Sequence, residues 1–156
     1  MKIYQCTRCG KISLTIREAN KHILSDEGKK NGCIGSRVLR TIHLPLKAEW
    51  YDMIERGEKK EEYRLLSRHW LQRLCYSWQT GCRSEECKSG LNCHRMCLNT
   101  RDYLAYPFDA VVFRYGYTKR FMVWSIDEIS IGQGRTEWGA PENKETFIIK
   151  LKERLV

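Results

Sequence analysis

Apolar positions change rhythm several times along the chain, and each change marks an element. Val38 to Leu44 (VLRTIHL) is β-branched and loosely alternating, which predicts a strand. After Pro45, the apolar residues Leu46, Trp50, Met53 and Ile54 recur at helical intervals, and Gly57 stands where a left-handed cap would end that helix. Lys60 to Leu66 reads as a strand, and Ser67 as the N-cap of a short helix through Leu74. Further on, DAVVFRYGY and RFMVWSIDEISI are β-branched and aromatic runs around a turn near Tyr117–Lys119, the pattern of a hairpin. FIIKLKERL supplies a last strand, and GQGRTEWGAPENK is a Gly-rich loop of the kind that carries binding residues. Near the start, TIREANKHIL reads as a helix with His22 close to its end. The fold class expected is α+β: a small β-barrel of about five or six strands with flanking helices, plus an N-terminal metal-binding module.

Composition divides the same chain. Residues 1–37 are basic and punctuated by Cys and His, predicting a zinc-finger-like module; residues 38–156 carry the barrel, with a Cys-rich insertion at about 75–100. At 156 residues there is room for one ordinary core and a small appendage. Lys and Arg number 28 against 19 Asp and Glu, a net charge of +9 that favours polyanionic partners over membranes, since no basic amphipathic helix stands out. A merely solvated basic surface is the plainer explanation of that charge. The opening MKIYQCTRCG lacks the apolar run of a secretory signal, and no stretch approaches the ~18 apolar residues of a membrane helix. A cytoplasmic, reducing location is therefore expected, where eight cysteines point to metal ligation rather than disulfides.

Cys6 and Cys9 form a C-x-x-C pair followed by Gly10, a spacing that lets two thiolates share one tetrahedral zinc. With His22 and Cys33 they complete a Cys3His set, closed and structural in character. So short a segment buries too little to fold alone, and the metal would supply the missing stability. Buried cysteines and a surface histidine assembled by chance are the alternative. A second cluster, CYSWQTGCRSEECKSGLNCHRMC, suggests another zinc on Cys82, Cys87, Cys93 and Cys97, with His94 or Cys75 as substitutes. Free thiols or a redox pair compete with that reading.

The most specific stretch is Gly57-Glu58-Lys59-Lys60-Glu61-Glu62-Tyr63-Arg64, which fits G-x-K-x-x-E-x-R. It resembles the signature of the ASCH family within the PUA-like superfamily. Leu44-Pro45-Leu46-Lys47-Ala48-Glu49-Trp50 is similar to that family's first strand-to-helix junction, and Arg114-Tyr115-Gly116-Tyr117 and Glu137-Trp138-Gly139-Ala140-Pro141 to its later segments. The resemblance covers roughly residues 38 to 154 and implies a PUA-like barrel with a cleft beside the first helix, into which the motif residues project. It implies RNA or another nucleic acid as partner. Some small bacterial members hydrolyse an acylated cytosine nucleoside, with a threonine nucleophile near a lysine. Lys59 matches that lysine, whereas Glu62 stands at the threonine's position.

Strand periodicity, taken separately, puts Glu62 and Arg64 on one face and Tyr63 on the other, toward the core. Arg64 can then hold a phosphate or base edge through its planar fork, with Glu62 orienting it and Lys47 and Lys59 adding charge. Alternation does not fix the direction of Lys59. A surface ion pair between Glu62 and Arg64, worth little, is the competing account. Tyr115, Tyr117 and Trp138, mixed with Arg114, Lys119, Arg120 and Arg135, provide stacking platforms among cations, as single strands require. Trp50, Trp70 and Trp124 are expected in the core. The first function expected is binding of RNA, another nucleic acid or a modified nucleoside. The second is hydrolysis of such a ligand, with Lys59, Glu62 and Tyr117 as acid–base residues. An adaptor whose zinc modules dock a protein is a third class.

Overall fold

The computed structural model describes residues 1–75 and 107–156. In chain order the elements are β1 (Tyr4–Cys6), β2 (Ile12–Ser13), α1 (Ile16–Leu24), α2 (Asp26–Lys30), β3 (Ser36–Val38), β4 (Thr41–Leu46), α3 (Ala48–Glu55), β5 (Glu61–Leu65), α4 (Arg68–Leu74), β6 (Ala110–Tyr115), β7 (Phe121–Gln133) and β8 (Glu145–Arg154), with a 3-10 turn at Thr136–Trp138. A three-stranded sheet runs β2-β1-β3, and a five-stranded sheet runs β4-β6-β7-β8-β5. The α+β class expected from the sequence is what the chain adopts, the five strands forming a curled half-barrel.

The chain groups into two compact units, one of residues 1–46, 108–125 and 153–156, the other of residues 47–107 and 126–152. In the first unit β4 pairs parallel with β6, and β6 pairs antiparallel with Phe121–Ser125 of β7. Pro45 sits inside β4, where it pairs opposite Arg114. It is tolerated because β4 is the last strand of its sheet, so the missing N–H faces away from the ladder. The expected hairpin turn is present: Gly116 takes φ 54, and the Thr118 amide and hydroxyl both donate to the Tyr115 carbonyl. Ile3, Leu39, Ala110, Val112 and Val123 form a buried cluster that ties the N-terminal sheet to β6 and β7.

Val38 to Leu44 is not one strand. The run breaks at Leu39–Arg40, leaving Val38 at the end of β3 and Thr41 at the start of β4. Asp109 causes the break: its carboxylate accepts from the Arg40 amide at 2.8 Å, from Arg40 Nε at 3.2 Å and from Arg37 at 2.9 Å. A backbone amide captured by a side chain cannot also serve a ladder.

In the second unit β5 pairs antiparallel with β8. Helix α3 ends as read, with Gly57 at φ 76. Its buried positions are Tyr51 and Ile54, while Trp50 and Met53 are half-buried. Ser67 does cap α4, through backbone geometry alone. Trp50, Trp70 and Trp124, expected in the core, are all half-buried instead. Among the described residues no helix is long and apolar enough to cross a membrane.

Candidate functional site

The first candidate site lies in the N-terminal module. Cys6 closes β1, its amide donating to the Lys11 carbonyl at 2.9 Å and its carbonyl accepting from Gly10 at 3.1 Å. Gly10 takes φ 78, which lets the chain turn around the two thiols. Helix α1 opens with a capping box: Thr15 Oγ1 accepts from the Glu18 amide, and the Glu18 carboxylate accepts from the Thr15 amide. Its last turn carries His22 on the buried face with Ala19. Ser25 ends α1 and caps α2, and the Cys33 amide donates to the Gly28 carbonyl at 2.8 Å. Gly28 lies so close to the His22 carbonyl that a Cβ there would collide with it.

This framework brings Cys6, Cys9, His22 and Cys33 together, with all four ligand atoms within 4.8 Å of one another. A tetrahedral zinc at ordinary bond lengths sets such atoms roughly 3.5–3.8 Å apart, so the quartet has the dimensions of one ion. Nε2 is the His22 atom facing the sulfurs, 3.1 Å from Cys9 Sγ. The amides of Cys9 and then Arg8 pull the Cys6 thiol down to about 6. Burial, then the neighbouring thiols of Cys6 and Cys9, push Cys33 up to about 12. Three sulfurs so crowded oppose one another's ionisation, and a divalent cation is the group that lets all of them be thiolates. The donor set therefore fits a metal such as zinc. Cys82, Cys87, Cys93, His94 and Cys97, proposed for a second ion, lie outside the described residues; Cys75 is buried beyond the end of α4.

The second candidate site lies in the second unit and is built from the motif. Glu62 and Arg64 share a face of β5, as alternation requires, and are ion-paired. Lys59 turns inward to meet the other Glu62 oxygen at 3.0 Å. Its ammonium also donates to the Trp138 carbonyl and lies 4.9 Å from the centre of the Trp50 ring and 5.0 Å from that of Tyr63. The side chains of Lys59 and Glu62 are only 2% and 4% exposed, against 16% for Arg64. Lys59 and Glu62 are thus not displayed at a cleft mouth; they form a buried base on which Arg64 stands. Burial holds the Lys59 ammonium below the usual lysine range, with Glu62 opposing that shift.

Arg64 lies 5.0 Å from the centre of the Trp70 ring, and Arg73 lies 4.9 Å from it, so two guanidiniums flank one indole. From the sequence Trp70 is expected in the core and not at a binding site, and Arg73 carries no signal of its own. Their i, i+3 spacing on α4 marks them as neighbours, but only the meeting of α4 with β5 brings in Arg64. The 134–140 loop lies across the base of the site. A Cβ on Gly134 would come within 2.5 Å of the Tyr63 ring, and one on Gly139 within 2.8 Å of Trp50. The Tyr63 hydroxyl donates to Glu61 at 2.7 Å and accepts from the Arg135 amide at 3.1 Å. In the same loop Arg135 stacks on Trp138 at 4.6 Å.

The remaining residues read from the sequence are placed as follows. Lys47 is exposed at the N-cap of α3. Arg114 and Tyr115 are half-buried in the first unit, where Arg120 lies over the Tyr115 ring at 5.1 Å. Tyr117 is fully exposed at the hairpin tip. No protein-family model matches the chain, and no curated protein or solved structure matches it, so the likeness to the ASCH family rests on the motif residues themselves.

Proposed function

We propose that the protein binds RNA or a related nucleotide through Arg64 and the rings around it, with a structural zinc holding the N-terminal module. The observation that carries this reading is the placement of Arg64: Glu62 anchors its guanidinium, the Trp70 ring lies against it, and it is the most exposed of the three motif side chains. A guanidinium is the cation best matched to phosphate. Arg73, stacked on the same indole, and Arg135, stacked on Trp138, add charge and flat surface. Bases stack on such surfaces and phosphates pair with such cations, which favours single strands.

In this reading Glu62 is a positioning residue. Both its oxygens face cations and it is shielded from water, so its work is to hold Arg64. Zinc is proposed at Cys6, Cys9, His22 and Cys33, a closed set that leaves no position for substrate. A cytoplasmic location would keep those thiols available to the metal.

Equilibrium binding of labelled single-stranded RNA, duplex RNA and single-stranded DNA across a salt series tests the proposal. Affinity for a single strand is expected to fall steeply with salt. Arg64→Ala should weaken it more than Lys152→Ala, at an exposed position of β8. Absent or salt-independent binding to all three would remove the proposal.

A further inference from the structure

The loop over residues 134–140 is fastened through its backbone and leaves two of its side chains on display. The Arg135 amide donates to the Tyr63 hydroxyl at 3.1 Å, and the Arg135 carbonyl accepts from the Trp138 and Ala140 amides at 3.0 and 3.1 Å. The Trp138 carbonyl accepts from the buried Lys59 ammonium, and Gly139 turns at φ 86 with the Trp50 ring close against it. None of these bonds uses the side chain of Arg135 or Trp138. The two stand three residues apart around the 3-10 turn, a spacing at which side chains eclipse, and the guanidinium lies 4.6 Å from the centre of the indole ring.

The surroundings of that guanidinium indicate what it can receive. Its side chain is 60% exposed, so the indole takes one side of it and solvent meets the rest. Its charged partner among the described residues is Glu137, at 4.0 Å and 63% exposed. A carboxylate there offsets the positive charge and repels a phosphate, which makes Arg135 a poor seat for the sugar–phosphate backbone. It does not oppose an uncharged planar ring, and bases stack on guanidinium planes as they do on aromatic rings. A loop already held in place before the ring arrives spares the cost of ordering it.

We infer that the outer face of the Arg135 guanidinium is a stacking site for one nucleobase, with Trp138 as the positioning residue that holds it flat. Lys59 acts from beneath, its buried ammonium fixing Trp138 by the backbone. Arg64 takes the sugar–phosphate backbone and Arg135 a base, a division that rests on the nucleic-acid reading above.

Equilibrium binding to the full chain tests this with two probes, a short oligoadenylate and an abasic sugar–phosphate chain of the same length. Wild type should hold the oligoadenylate more tightly. Arg135→Lys keeps the charge but loses the plane. It should weaken the oligoadenylate about tenfold, within the range of one stacked base, and leave the abasic chain and the salt slope unchanged. Trp138→Ala should do the same, and the double variant should lose no more than either single one, because the indole acts through the guanidinium. Arg64→Ala should weaken both probes alike. The inference is overturned if wild type holds the two chains equally, if Arg135→Lys weakens them equally, or if that variant holds the oligoadenylate as wild type does. Wild type that holds neither chain removes the nucleic-acid reading itself, and this site with it.

Discussion

Replacing Glu62 by Gln removes the one negative charge between two cations while keeping the shape of the side chain. At 3.0 Å, the Lys59–Glu62 attraction alone is about 5–6 kcal/mol gross for an effective dielectric near 20. The net cost is smaller, because the ammonium escapes part of it by releasing its proton. Removing one partner of a buried pair typically destabilises by about 3–5 kcal/mol. For a chain of 156 residues, whose unfolding entropy near the midpoint is about 0.33 kcal/mol/K, this corresponds to a melting temperature roughly 10–15 °C lower. Thermal unfolding followed by circular dichroism measures it.

The sign of the pH dependence is also fixed. The Lys59 ammonium is held below the ordinary lysine value of 10.5 by burial. The unfolded chain therefore binds more protons than the folded one just below that value, and the contribution of Lys59 to stability rises with pH there. Glu62→Gln removes the main influence opposing the shift, so this window widens downward in the variant. Its deficit relative to wild type should shrink as the solution is made alkaline. The double variant Lys59→Met with Glu62→Leu, which buries no charge at either position, should recover most of the loss. A Glu62→Gln protein melting within about 2 °C of wild type, well inside the shift expected here, would refute the claim that the pair is buried and mutually dependent.

Three further outcomes follow from local geometry. Gly57 and Gly139 both have positive φ, but a Cβ on Gly57 meets nothing while one on Gly139 meets the Trp50 ring, so Gly57→Ala should cost about 1–2 kcal/mol and Gly139→Ala more, read by denaturant titration. Chelating the metal should release the α1 helical signal, and Cys33→Ser should weaken the thiolate charge-transfer band of the cobalt-substituted protein, while Cys75→Ser leaves the α1 signal intact. For Asp109, burial alone would raise the carboxyl, but the Arg40 amide and the Arg40 and Arg37 guanidiniums outweigh it and hold it below 3.8. Its contribution is thus complete above the ordinary value and lost as pH falls through the lowered one; acid titration of Asp109→Asn should lack that loss.

What the sequence disclosed follows from how local each cause is. The β6–β7 hairpin, α3 with Gly57 behind it, and the start of α4 at Ser67 depend on neighbours a few residues away, and all three stand where the pattern put them. The metal quartet was legible because ligand chemistry restricts which residues can cluster, whatever the fold around them. The break between β3 and β4 was hidden because it depends on Asp109, nearly 70 residues away from Arg40. The two short strands β1 and β2 carry too few residues for a period to emerge. Alternation could place Glu62 beside Arg64, but Lys59 precedes the strand, and its inward turn depends on the Trp138 carbonyl. Trp70 and Arg73 became part of the site only through the packing of α4 beside β5.

The account turns on Arg64 acting as a planar fork held against an indole, and the most direct measurement is the affinity of Arg64→Lys for a single-stranded RNA. Lysine keeps the charge but loses the flat, two-pronged head. Binding weaker by about tenfold or more, with the salt slope unchanged, is predicted, since the phosphate charge count stays the same. Wild-type affinity in that variant would contradict the account.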